Sequence, residues 1–183
     1  MLSGPAREGA LLEALTALFY ARTDDLARFS PQTVDQLPEV YRGLLAHEHH
    51  MTVAVEAHHG QRVDVAVART HVTPEQYARE IVLVGRDDRR VVQYGIMRIA
   101  FRSLAPEVRA RIEAADTPLG RILIEHDVLR RIHLRSLWRV EPGTALTRLL
   151  ELDAPRTTWG RTALILLDEQ PAVELLEIVT PEP

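Results

Sequence analysis

Apolar residues along this chain change their spacing several times, and each change marks an element. Leu11, Leu12, Leu15, Leu18 and Phe19 recur at helical spacing, which predicts a first helix over residues 8–20. A second helical segment is predicted from about 34 to 45. The spacing then turns to alternation. Val53 and Val55, followed after Ala57-His58-His59-Gly60-Gln61 by Val63, Val65 and Val67, read as a hairpin with His58 and His59 at its tip. Residues 81–84 and 91–101 flank a polar turn, Gly85 to Arg90, and predict a second hairpin. Pro106 opens a helical interlude carrying Val108, Ile112, Ile122 and Leu123. Residues 131–140 alternate again, with Ile132, Leu134, Trp138 and Val140 on one side and Arg131, His133, Arg135 and Arg139 on the other. The last two strands, 157–167 and 172–180, are joined by Asp168-Glu169-Gln170-Pro171.

The pattern gives six or seven strands linked mostly as hairpins, without a helical crossover between each pair. This argues against a parallel doubly wound sheet, and an α+β fold with an antiparallel sheet and flanking helices fits best. With 183 residues and no linker, repeat or low-complexity tract, one domain over 1–183 is expected.

Composition narrows the chemistry. A net charge of −4 gives no broad positive field for nucleic acid. The absence of cysteine removes disulfides, thiolate nucleophiles and cysteine-based zinc sites, and fits a cytoplasmic location. Glu13 interrupts the N-terminal apolar segment, unlike the core of a signal peptide, and no apolar run is long enough to span a bilayer.

Two charges interrupt apolar strand faces. Glu177 shares a face with Val173, Leu175 and Val179, and Arg79 shares one with Ile81 and Leu83. Both strands are apolar on both sides, so pattern alone leaves open which face is buried. Charges pointing inward would require a partner or a ligand, and a buried arginine suits a carboxylate.

These residues carry a resemblance. The ordered series HMT at 50–52, YAREIVL at 77–83, TPLGRIL at 117–123, WGRTALILLDEQP at 159–171 and LEIVTP at 176–181 resembles the chorismate pyruvate-lyase family over roughly residues 44–181. The resemblance implies a six-stranded antiparallel sheet enclosing a ligand pocket beneath helical flaps. It implies an enzyme, a carbon–oxygen lyase without cofactor or metal, that eliminates pyruvate from chorismate to give 4-hydroxybenzoate. By the resemblance, Arg79 binds a substrate carboxylate and Glu177 takes part in proton transfer. The backbone amides of Met51 and Leu119, next to Gly120, bind the ligand. The chemistry asks for such groups, since an anion on an apolar ring needs a fixed cation, amide donors and apolar walls.

Other features are open to two readings. Pro118-Leu119-Gly120 is also a common way to enter a helix, and Trp159-Gly160-Arg161 is also an ordinary strand start; Arg161 is held as a second anion contact. The strand VVQYGIMRIAF departs from the family pattern and adds a cation, Arg98, and the segment 125–156 is longer than in the compact enzyme of the family. Product regiochemistry and the identity of the enolpyruvyl substrate therefore stay open.

His47-Glu48-His49-His50 lacks the spacing of a helix-borne zinc site and is read as the rim of the pocket, with His49 or His50 facing the ligand and no metal bound. The alternatives are a lyase acting on another enolpyruvyl ether or giving another hydroxybenzoate, and a non-catalytic aromatic-acid-binding domain on the same fold. No helix-turn-helix is read ahead of the domain. The expected partner is a small dicarboxylate such as chorismate, with no nucleic acid and no membrane, and the chain is expected to be a monomer.

Overall fold

Long, nearly continuous apolar strands build the centre of the structure. A computed structural model of the chain describes residues 5–114, 116–125, 130–167 and 169–182. Residues 1–4 of the N-terminal segment, 126–129 of the long segment before the fifth strand, and Asp168 of the expected last turn lie outside the described residues. Seven antiparallel strands form one sheet in the order β1-β5-β6-β7-β4-β3-β2. They are β1 (Ala27–Gln32), β2 (Val63–Val72), β3 (Gln76–Gly85), β4 (Val91–Ala100), β5 (Arg130–Pro142), β6 (Thr158–Leu167) and β7 (Gln170–Val179). The helices are α1 (Pro5–Thr16), α2 (Glu39–Leu45), α3 (Met51–His59), α4 (Pro106–Glu113), α5 (Leu119–Glu125) and α6 (Thr144–Leu149). None of the described helices is long and apolar enough to cross a membrane.

β3, β4 and β7 lie inside the sheet and are covered on both faces, which is why they are apolar on both sides. On one face Leu12 and Leu15 of α1 and Leu146 of α6 pack on Val84, Tyr94, Ile96, Leu176 and Ile178. The other face carries two clusters. α2 and α3 cover Ile81, Leu83 and Val179 with Tyr41, Leu45, Met51 and Val55, while α4 and α5 cover Met97, Ile165 and Leu175 with Val108, Ile112, Ile122 and Leu123.

Three expectations are corrected. The strand expected through Val53 and Val55 is helix α3. Its buried positions are Met51, Thr52 and Val55, a helical stripe, whereas Val53 is 49% exposed. Gly60, expected in a hairpin turn, ends that helix in the left-handed region at φ 64°. His58 and His59 therefore lie in the last turn of a helix and not at a hairpin tip. Secondly, the sheet has seven strands and not six, because β1, a short edge strand bearing Pro31, pairs with β5. Thirdly, β5 does not keep one apolar side. A register shift between Leu134 and Ser136 moves it from one face to the other, so Ile132 and Leu134 meet the α2–α5 face while Trp138 and Val140 meet α1.

Candidate ligand-binding site

Register places three cross-strand rows on the face beneath α3 and α5. Arg79, Met97 and Leu175 form the first, Ile81, Gly95, Glu177 and Arg161 the second, and Leu83, Gln93 and Val179 the third. Gly95, which has no side chain, leaves the middle row open between Ile81 and Glu177. A Cβ there would sit 3.3 Å from the Leu176 carbonyl and 3.6 Å from Ile81 Cδ1.

The first turns of α3 and α5 roof this opening. Gly120 lets them meet, because a Cβ at that position would lie 3.0 Å from Thr52 Oγ1 and 3.2 Å from His50 Cβ. An ion pair from Arg121 on α5 to Glu56 on α3 joins the two helices, and Glu56 also accepts from the Val63 amide at 3.0 Å. The space enclosed is a cavity of about 50 Å³, a few times what one buried water needs. Arg79, Glu177, Met51, Leu119, Gly120 and His50 all line it, with Ile81, Gln93, Gly95, Met97 and Leu175. Met51 and Thr52 open α3, where the first amides have no acceptor within the helix.

Arg79 is 2% exposed. Its Nη2 donates to the Thr117 carbonyl at 3.3 Å, while Nε and Nη1 are buried with no hydrogen-bond partner. Burial pushes its pKa down; Tyr77 and, at longer range, Asp116 oppose that fall. No hydrogen bond of good geometry joins the Tyr77 hydroxyl to the guanidinium, and that hydroxyl too is buried without a partner.

Glu177 and Arg161 behave differently. Arg161, 1% exposed, donates from Nε to Glu177 Oε2 at 2.7 Å, from Nη1 to the His47 carbonyl at 2.8 Å and from Nη2 to the His49 carbonyl at 3.0 Å. Arg161 is therefore corrected from an anion contact to the partner of Glu177: each of its nitrogens is engaged within the protein, and it does not line the cavity. Arg98 is corrected too. It lies on the α1 side of β4, across from Glu174, and pairs with that carboxylate, so it adds no cation to the cavity.

The histidines serve the same frame. His47 Nε2 donates to the Leu44 carbonyl at 2.7 Å, and its Nδ1 sits 3.3 Å from Arg161 Nη1. Burial first, and the Arg161 charge second, hold its pKa below the usual histidine value. His49 contributes its carbonyl to Arg161, and His50 lines the cavity. Among the described residues no group of three or more metal-ligating side chains is placed to hold an ion.

Sequence reasoning did not single out Gln93, Gly95 or Glu80. Gln93 is 3% exposed, with Oε1 buried and unpaired; the signal was one polar residue within VVQYGIM. Glu80, 1% exposed, points to the face opposite Arg79. It accepts from Tyr20 at 2.6 Å, Tyr94 at 2.7 Å, and Arg69 Nε and Nη2 at 2.7 and 3.1 Å. Burial alone would raise its pKa, but these hydrogen bonds outweigh it and hold the carboxyl below its ordinary value.

Comparison with known proteins places the fold. No protein-family model matches the sequence, and no curated protein matches it. Solved structures do. PhnF from Mycobacterium smegmatis matches at 15% identity with a TM-score of 0.53, over 72% of this chain and 63% of that one. The effector domain of PhnF matches at 13% identity and a TM-score of 0.52, over 72% and 88%. The C-terminal domain of the histidine utilization repressor from Pseudomonas syringae pv. tomato matches at 13% identity and a TM-score of 0.45, over 65% and 92%. The match takes in less than two thirds of the full PhnF chain, and 57% of YydK from Bacillus subtilis.

The fold is that of the effector domain of PhnF, an α+β arrangement with one antiparallel sheet. The expectation of an enzyme is overturned by this. The structures it resembles include the effector domain of PhnF, no family model or curated protein supports the lyase resemblance, and the carboxylate expected to move a proton is held by the fixed charge of Arg161.

Proposed function

We propose that this chain is a non-catalytic small-molecule-binding domain whose ligand is a compact aromatic monocarboxylate, bound between the sheet and the first turns of α3 and α5. One observation carries the reading: a buried guanidinium lines the cavity with two of its nitrogens unpaired. A buried cation with unmet donors is costly, and a carboxylate would supply both the charge and the acceptors. Charge balance favours a monoanion. Arg161 and Glu177 cancel each other, leaving the single charge of Arg79 for the ligand. The dicarboxylate expected from the sequence would bring a second charge with no cation to meet it.

The small volume and the open floor at Gly95, between Met97, Leu175 and Ile81, suit one flat apolar ring. The analogy to effector domains is one of fold and enters as that alone. Calorimetry with benzoate and with terephthalate tests the reading. Benzoate is expected to bind the wild-type protein, terephthalate to bind at least tenfold more weakly, and Arg79→Met to lose about 100-fold in benzoate affinity, the cost of removing one half of a desolvated charge pair. Equal binding of benzoate by wild type and Arg79→Met would refute it.

A further inference from the structure

We infer that Gln93 reads a neutral polar group on the ligand, at the end remote from the carboxylate, and so sets which acids this cavity accepts. The inference rests on the anion-binding reading above and adds a second anchor to it. Arg79 and Gln93 stand in the outer two of the three rows, on either side of the open position at Gly95. Their backbones are four residues apart along β3 and its register with β4, about 13 Å at the rise of an extended strand. Both side chains line the same cavity, and both are almost wholly buried. A ligand whose carboxylate meets Arg79 therefore directs its far edge toward Gln93.

The Gln93 side chain has no structural task that accounts for it. Its Oε1 is buried with no hydrogen-bond partner, and its neighbours in the row are Leu83 and Val179. An apolar residue would fill the place without leaving a polar atom unmet. A primary amide offers an acceptor and donors from one planar group, so a hydroxyl, which both donates and accepts, satisfies it in either orientation of the amide. A methyl group of similar size leaves it unpaired. Sites built around a buried polar group reject the isostere that lacks the matching one more strongly than apolar pockets discriminate by size.

The test compares benzoate, 4-methylbenzoate and 3- and 4-hydroxybenzoate by calorimetry on the wild-type chain, Gln93→Leu and Gln93→Met, with thermal melting to show that each variant is folded. The wild type is expected to bind the better hydroxylated acid at least tenfold more tightly than 4-methylbenzoate. In both variants that preference collapses or reverses, while benzoate affinity stays within about threefold, since Arg79 is untouched. Equal binding of the methyl and hydroxyl acids by the wild type would overturn the inference while leaving the anion-binding reading intact. So would a preference that survives in both variants. If none of the four acids binds the wild type, the anion-binding reading falls and this inference falls with it.

Discussion

Replacing Arg79 by methionine should make the unliganded protein more stable, and the size of that gain follows from the hydrogen bonds that Arg79 does not make. Two of its nitrogens are buried without acceptors, and the third reaches the Thr117 carbonyl only at 3.3 Å. A buried donor left unsatisfied costs about 1–3 kcal/mol. Methionine keeps an unbranched apolar stem among Met97, Leu175 and Ile81 and gives up about 1 kcal/mol for the long bond to Thr117. The net expectation is a gain of about 1–5 kcal/mol, which for a domain of this size raises Tm by about 2–20 °C.

Ligand narrows this gap by about 2.3 kcal/mol and reverses the order where the gain is smaller than that. At a benzoate concentration one hundred times the wild-type Kd, linkage stabilises the wild type by about 2.7 kcal/mol, whereas a variant that binds 100-fold more weakly gains only about 0.4 kcal/mol. Urea unfolding with and without benzoate measures both quantities in one series. An Arg79→Met variant less stable than the wild type by more than about 1 kcal/mol would refute the reasoning, because it would mean that buried water or the protein itself already satisfies the guanidinium.

Glu80→Gln should cost about 2 kcal/mol at pH 7, with the Arg69 contribution discounted because that side chain is 43% exposed. The folded Glu80 carboxyl lies below its ordinary value of 4.5, so its contribution is complete above pH 4.5 and is lost as pH falls through the folded value. The gap between wild type and variant in urea midpoints should therefore close in acid, and a gap constant with pH would contradict the assignment. Glu177→Gln leaves Arg161 buried beside a neutral amide and should cost about 3–5 kcal/mol. It should also improve terephthalate binding relative to benzoate, because the Arg161 charge behind the cavity wall is then no longer cancelled by a carboxylate. All four tyrosines, Tyr20, Tyr41, Tyr77 and Tyr94, have pKa values raised chiefly by burial, that of Tyr20 to about 12. Absorbance titration of the native protein should show less phenolate at pH 10 than the unfolded chain, which is half ionised there; the stability they contribute is complete below pH 10 and is lost as pH rises through the folded values. Arg121→Met removes the tie between α5 and α3 and should speed benzoate dissociation, read by stopped flow, with the cavity residues unchanged.

The strands of the sheet's centre were legible as long apolar runs set off by polar turns; covered on both faces, they carry no alternation that would have shown which face holds the site. α3 was not, because Val53 and Val55 supply one step of alternation and the residues that fix the helix, Met51 and Thr52, lie just outside it. The face change in β5 was illegible for a different reason: a bulge leaves the composition of a strand unaltered and moves half of it to the other side. Arg161 shows the same limit at the site. Its charge was visible, but its partners are Glu177 sixteen residues on and carbonyls more than a hundred residues earlier, and only the register of β6 with β7 and the turn after α2 bring these together.

Arg79 and Glu80 make the point sharpest, since they are neighbours on one strand and equally hidden from water. Alternation sends them to opposite faces. Glu80 meets a finished arrangement, with two tyrosine hydroxyls and a forked arginine on it, one of the tyrosines arriving from sixty residues upstream, just after α1. The same fold, one residue away, leaves the guanidinium of Arg79 with a single long hydrogen bond. A chain that can surround a buried carboxylate with four donors has no general difficulty in pairing a buried charge. The unmet donors of Arg79 therefore set it apart from its neighbour, and they face the cavity that Gly95, Gly120 and the first turn of α3 leave open, which is the ground on which the proposed anion site rests.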